Sequence, residues 1–350
     1  MSKYISLSQS ISYTIDPIKL LIDQNMAKKI KEDCERYLIL KPNKQPNVNQ
    51  FINRVFYNYH HDFYQLQNDV LCKISYNLAE DIKSISDIKR ISENIYNDLL
   101  IDNNHSNNKK DKAISFKPNK ENSRTIDELK LNGIQSIAIY IRNMLSKFFT
   151  LRSNEREIIL YKAEYNALKS AINNKHCVVI TIGNNTKLFL KPYDILTNNE
   201  SIYNYLIGKQ YNKETKTYSI ITQRLTRIKK VTIDFRSTVT FTNDDSLIIQ
   251  KMIKNGVQFK YDEHEKNIVV TFSENGYKIF NLTFLQKPLP VKEEYNENNK
   301  TYTLVFDCSY FQAKLFFSRF GKDAQIIEPK ELVDYFADFY NKAYLKHKSN

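Results

Sequence analysis

The sequence predicts an α+β multidomain protein, and three observations predict it. A pattern of strand, helix and capped helix occurs twice before residue 150. A run of short apolar strands broken by Gly, Asn and Asp turns fills residues 177–235. Strands and amphipathic helices then alternate to the C-terminus. With 350 residues, and about 150 residues to a domain, the chain has room for more than one core.

Composition excludes several classes. Lys and Arg number 52 against 39 Asp and Glu, a net charge of +13. The aromatic load of 24 Tyr and 20 Phe is too high for a disordered polycation. Glycine occurs only at 133, 183, 208, 256, 276 and 321, too far apart for a phosphate-cradling loop of the Walker or Rossmann kind. Met1 to Ser10 is polar and lacks an apolar signal core, and no apolar run approaches the ~18 residues of a membrane span. Cys34, Cys72, Cys177 and Cys308 are scattered, which suits reduced thiols. These features lead to the expectation of a cytoplasmic protein with no membrane partner and with nucleic acid as its partner. The sharpest basic density is Lys209, Lys213, Lys216, Arg224, Arg227, Lys229 and Lys230, set against Glu214 alone.

Element by element, Ile11–Ile15 alternates apolar and polar residues and reads as a strand. Ile18 to Leu40 reads as a helix closed by Pro42 and Pro46. Asn47, with Gln50 three residues on, caps a second helix whose apolar positions are Val48, Phe51, Ile52, Val55, Phe56 and Tyr59. Residues 64–101 continue helical, and 102–112 hold no apolar residue, a linker composition. The pattern then returns. Ile114–Pro118 is a strand, Thr125–Leu131 a short helix, and Ser136 caps a helix that aligns Val48 with Ile137, Phe51 with Tyr140, and Tyr59 with Phe148.

Strand, helix and capped helix at this spacing resembles a ribbon-helix-helix unit, best in Ser136 and Tyr140-Ile141-Arg142-Asn143. A lone strand of this length cannot stand, so two must pair, either within the chain or between two subunits. The outward strand residues Ser12, Thr14, Ser115 and Lys117 would face a major groove. The caps Asn47 and Ser136 would offer backbone N–H groups to phosphates.

In the middle, residues 153–175 read as a helix. Strands follow at Cys177–Ile182, Lys187–Tyr193, Tyr203–Gln210, Lys216–Thr222 and Lys229–Phe235, which suits a small barrel. Here the chain resembles the WYL-domain family. Leu168–Ile172 stands for the helix before the barrel, Pro192 with Ile195-Leu196 for the strand end, and Asn204-Tyr205-Leu206-Ile207-Gly208 for the name-giving motif. Arg224-Leu225-Thr226-Arg227-Ile228 stands for the arginine motif. Asn204 occupies the tryptophan position, and Ile180-Thr181 the place of the usual first-strand tyrosine. The resemblance implies an SH3/Sm-like β-barrel that binds single-stranded nucleic acid or a small anionic effector. The candidate ligand residues are Tyr203, Tyr205, Lys191, Lys209, Arg224 and Arg227. Arginine forks suit phosphate, and tyrosine faces suit bases. On a regular strand Arg224 and Arg227 would face opposite sides; only a bulge or a strand end brings both to one ligand.

Asp245–Asn255 reads as a helix ended by Gly256. Strands are expected at Gln258–Tyr261, Asn267–Phe272, Tyr277–Phe284, Tyr302–Asp307 and Ala324–Glu328, with helices from Ser309 and from Pro329. The run Tyr310–Leu332 resembles the C-terminal extension of WYL proteins, which implies a part in dimerisation and relay. The expected division is 1–101 helical with a first ribbon-helix-helix half, 102–112 linker, and 113–152 second half. The WYL domain with its leading helix covers 153–236 and the C-terminal module 237–350. The whole resembles WYL transcription regulators and the WYL accessory proteins of type VI-D CRISPR–Cas loci.

No catalytic constellation emerges. His60 and His61 diverge by about 100° on a helix, and Asp244-Asp245 and Glu293-Glu294 read as solvated turn residues. The expectation is therefore a regulator without catalysis, metal or cofactor, acting as a homodimer on nucleic acid. Its output is either transcription or, alternatively, stimulation of a CRISPR effector nuclease by an accessory that binds single-stranded RNA.

Overall fold

The structure is a computed structural model that describes residues 16–102, 112–183, 185–197, 202–212, 214–237, 239–261 and 265–348. The chain divides into two compact units, Met1–Lys162 and Ala163–Asn350. Among the described residues no helix is long and apolar enough to cross a membrane.

In the first unit the order is β1 (Ile18–Ile22), α1 (Gln24–Arg36), α2 (Val48–Leu78), α3 (Ile85–Asp102), β2 (Lys112–Phe116), α4 (Lys120–Leu131), α5 (Ile137–Phe148) and α6 (Ser153–Leu160). The expected strand at Ile11–Ile15 lies outside the described residues. The strand that pairs with β2 is instead Ile18–Ile22, the start of the segment expected to be helical. Asp23 explains the boundary. Its carboxylate accepts the Met26 N–H at 2.8 Å, so the helix can begin only after it, leaving the apolar run Ile18-Lys19-Leu20-Leu21-Ile22 extended.

β1 and β2 pair antiparallel within the one chain, with Ile18 opposite Phe116 and Ile22 opposite Lys112. Leu20, Ile22 and Phe116 turn inward and are buried. α5 packs on β1 and α2 on β2, so the second helix of each copy covers the strand of the other. Phe51 of α2 meets Phe148 of α5 edge-on at 5.9 Å, and Phe63 meets Tyr140 at 5.2 Å. Both expected caps form: Asn47 accepts from Gln50 N–H and Ser136 from Ile139 N–H. The long helical stretch breaks between Leu78 and Ile85 into a helical hairpin, α2 and α3.

A buried Asn network ties β2 to α2. The Asn53 amide donates to the carbonyls of Asn49 and Lys117 and accepts from the Asn119 N–H and the Asn122 amide. The Asn49 side chain takes the Lys117 N–H. These bonds satisfy backbone groups at the strand's end, where the ladder stops.

In the second unit, α7 (Lys162–Asn173) leads into β3 (Cys177–Ile182), β4 (Thr186–Leu196), β5 (Tyr205–Asn212), β6 (Thr217–Arg224) and β7 (Ile228–Asp234). These form one antiparallel sheet in the order β6-β5-β4-β3-β7. The expected barrel is not closed: β6 and β7 are both edges, with no ladder between them. A 3-10 turn at Leu225–Arg227 carries the chain from one edge to the other. In place of closure, α8 (Asn243–Asn255) packs its Ile249 and Met252 against Ile207 of β5 and Ile220 of β6. Gly208 faces Pro192 across the β4 bulge, where a Cβ would sit 2.7 Å from the Lys191 carbonyl oxygen, so only glycine fits.

β8 (Ile268–Ser273), α9 (Glu274–Leu282), β9 (Pro290–Asn296), β10 (Thr301–Phe306), α10 (Tyr310–Phe317), β11 (Ala324–Glu328) and α11 (Lys330–Lys348) complete the unit. The sheet order is β11-β8-β10-β9. Two expectations fail here. Tyr277–Leu282 is helix, because Ser273 caps it by accepting the Gly276 N–H at 3.0 Å and Phe280 drops into the core beside Phe272 and Phe306. Gln258–Tyr261 forms no strand, and the strand that was not anticipated is β9, exposed along the sheet edge.

Candidate nucleic-acid interface

The arginine motif lies where β6 ends. Arg224 is the last strand residue, opposite Tyr205 in register. The chain then leaves the pleat for the 3-10 turn, whose last residue is the exposed Arg227. The alternation that would place the two arginines on opposite faces therefore stops at Arg224, and the motif sits at a strand end. Buried Leu225 anchors the turn, its N–H donating to the Asn204 carbonyl at 2.9 Å. Asn204, in the tryptophan position, is itself buried and serves as the staple between the β4–β5 connection and the turn.

The Arg224 guanidinium lies over the Tyr203 ring, 3.8 Å from its centroid. Tyr203 in turn meets Tyr205 edge-on at 6.5 Å. Stacking on an aromatic face fixes the plane of the fork and leaves its edge to bind an anion. Among the described residues, the buried Arg224 Nε has no hydrogen-bond partner.

The two candidate lysines are placed differently. Lys191 and Lys209 face each other across β4 and β5, and both are buried. Lys191 donates to the Lys175 carbonyl. Lys209 pairs with Asp245 at 2.5 Å and reaches the Thr240 carbonyl at 3.3 Å. Two like charges side by side in a half-dry sheet need internal acceptors, and they have them. Neither belongs to the open corner. Asp245, expected in a solvated turn, is buried in the first turn of α8. Burial raises its pKa, but the hydrogen bonds from Lys209 and Thr242 outweigh that, and the carboxyl is held below the usual carboxylate range. The signal was in the sequence: Thr242 and Asp245 form a capping box, with each side chain taking the other's N–H.

On the ribbon, Ser115 is exposed on the outer face of β2, and its partner across the ladder is Lys19. Leu21 and Ala113 complete that outer face. Lys117 is exposed just past the strand end. Ser12 and Thr14 lie outside the described residues. Asn47 and Ser136 use their side chains to cap their own helices. Sequence reasoning missed Lys19 and Leu21 because it read Ile18–Ile22 as the start of a helix.

Three cysteines, Cys34, Cys177 and Cys308, are buried, and burial pushes their thiols up, that of Cys34 to about 12. Among the described residues no three His, Cys, Asp or Glu side chains are grouped to hold a metal ion.

No protein-family model matches the chain, and no curated protein matches it. Among solved structures, that of a CRISPR Cas-related protein is similar over 97% of this chain and 96% of its own, with a TM-score of 0.73 at 15% identity. The proteasome accessory factor B/C (PafBC) of Arthrobacter aurescens matches over 69% of this chain and 38% of its own at 11% identity. Its TM-score of 0.26 carries no argument. The chain therefore has a fold similar to that of a CRISPR Cas-related protein along nearly its whole length.

Proposed function

We propose that this protein is a CRISPR-associated regulator without catalysis, which binds single-stranded RNA at the Tyr203–Arg224–Tyr205 corner and thereby stimulates an effector nuclease. The observation that carries the reading is the Arg224 guanidinium stacked on Tyr203, three residues before the exposed Arg227. A flat cation on an aromatic face, next to a second arginine, offers a phosphate its donors and a base its stacking surface. The ordered WYL-like motifs from Leu168 to Ile228 support the reading, as does the description of the fold neighbour as CRISPR Cas-related. In this reading the protein is a cytoplasmic homodimer, and the C-terminal module relays binding to the partner.

A second reading, a transcription regulator, is favoured by the ribbon. Its two strands pair within one chain and present Lys19, Leu21, Ala113 and Ser115 outward, a two-stranded face of the size a major groove admits. That face lacks the Arg, Asn and Gln residues that read bases bidentately, so single strands come first.

The test is a salt-titrated anisotropy assay with single-stranded RNA, single-stranded DNA and duplex DNA. Single-stranded RNA is expected to bind best. Arg224→Ala and Arg227→Ala should each weaken it and flatten the log K against log[salt] slope by about 0.7. Wild-type affinity and slope in both variants would exclude the corner. A duplex preference with competition by one specific sequence would select the transcription regulator.

A further inference from the structure

We infer a second single-strand contact surface on the same face of the five-stranded sheet, at the end away from the arginine corner: an aromatic row formed by Phe189, Tyr211 and Tyr218, bordered by Lys187 and Lys230. The inference rests on the single-strand reading of the corner and extends it to a second place on the sheet.

The register builds the surface. Residues opposite each other in a ladder point to the same side of a sheet. Thr232 of β7 faces Val179 of β3, and Val179 faces Phe189 of β4. The β4–β5 ladder runs through Leu190 opposite Gln210, which sets Tyr211 next to Phe189. Tyr211 faces Tyr218 of β6. One row thus crosses all five strands and carries three aromatic rings. The Tyr211 and Tyr218 rings are 5.0 Å apart, and Tyr218 is 43% exposed. Phe189 and Tyr211 are half-exposed. Beside it runs a second row, Lys230 opposite Thr181 and Thr181 opposite Lys187, with both lysines exposed. Neither row contains a carboxylate.

The same face continues along β6 to Arg224, six residues from Tyr218, about 20 Å at a strand's rise per residue. α8 covers the stretch between, over Ile207 and Ile220, and Tyr205 packs against the edge of the same cluster. The face therefore has two open ends, each with aromatic rings and cations, on either side of the helix. Rings in a row accept bases of any identity, and lysines without neighbouring carboxylates meet the phosphates between them. The occupant is a single strand, since paired bases do not present their faces for stacking.

The experiment uses fluorescein-labelled oligouridine of about 15 nucleotides and of about 4 nucleotides, within the range of single-strand sites on small β-folds. With the longer probe, Tyr218→Ala should weaken binding by about 5- to 150-fold, the equivalent of the ~1–3 kcal/mol of one base–aromatic stack. Tyr218→Phe, which keeps the ring, should bind like wild type. Lys187→Ala and Lys230→Ala should each lower the salt slope by about 0.7. Wild-type affinity in Tyr218→Ala together with unchanged slopes in both lysine variants would overturn the second surface, while loss in Arg224→Ala in the same assay would leave the corner standing. The reverse pattern would keep the second surface and remove the corner. With the shorter probe, sensitivity to Arg224→Ala but not to Tyr218→Ala supports two separated contacts. If oligouridine of either length fails to bind the wild type, both the single-strand reading and the second surface fall.

Discussion

Asp245 shows how one side chain can decide the use of its neighbours. It draws Lys209 away from solvent and closes the first turn of α8, joining the helix that covers the sheet to the sheet itself. A buried ion pair that loses one partner costs about 3–5 kcal/mol, because the remaining charge is stranded. Asp245→Asn should therefore destabilise the protein by that order at neutral pH. The native carboxyl is held below its usual range, so the stability it contributes is present above the unfolded-state value and is lost as pH falls through the lower folded-state value. Urea unfolding between pH 5 and pH 3 should show wild type losing stability with acid and the gap to Asp245→Asn narrowing. A constant gap across that range would mean that the carboxylate's charge contributes nothing.

At the scale of elements, the ribbon depends on how its strand ends are tied down. Asn53 is the knot: its amide serves Lys117, Asn119 and Asn122 at once. Removing it leaves several buried backbone and amide groups unpaired, each worth about 1–3 kcal/mol, whereas removing a helix cap typically costs about 1 kcal/mol. Asn53→Ala should therefore lower the denaturation midpoint clearly more than Asn47→Ala, measured by circular dichroism in urea. Equal losses would reduce the Asn network to ordinary packing. Elements with strong local signals were legible in the sequence. Asn47 and Ser136 mark helix starts whatever surrounds them, and Gly256, at positive φ, marks the end of α8. Elements without such signals were not. Ile18–Ile22 is an apolar run that suits helix or strand equally, and its pairing with residues about 100 positions away settles it. Phe280, Leu282 and Phe284 alternate with polar residues like a strand, but the Ser273 cap and the burial of Phe280 put the chain in a helix as far as Leu282.

For the whole molecule, the two compact units have separate cores. The first is built on Phe51, Phe56, Phe116 and Phe148, the second on the cluster around Phe272, Phe306, Phe316 and Phe317 and on the sheet under α8. In the first, Asp33 is buried and holds the guanidinium groups of Arg156 at 2.7 Å and Arg36 at 2.8 Å. Asp33→Ala strands Arg156 and should cost about 3–5 kcal/mol in that unit. Calorimetry is expected to give a composite transition in which Asp33→Ala lowers one component and Asp245→Asn the other. A single transition lowered equally by both variants would show that the cores unfold together.

The sequence by itself determined the two capped-helix repeats, the excess of positive charge, the ordered motifs from Leu168 to Ile228 and the absence of a phosphate loop. All of these are local: a cap, a composition or a spacing acts within a few residues. Only the tertiary structure decided that the two ribbon strands pair within one chain, that the sheet stays open under α8, that Lys191 and Lys209 turn to internal acceptors, and that Arg224 rests on Tyr203. Those outcomes depend on which distant groups compete for a charge, a hydrogen bond or a strand edge. That competition is settled only when the chain has folded.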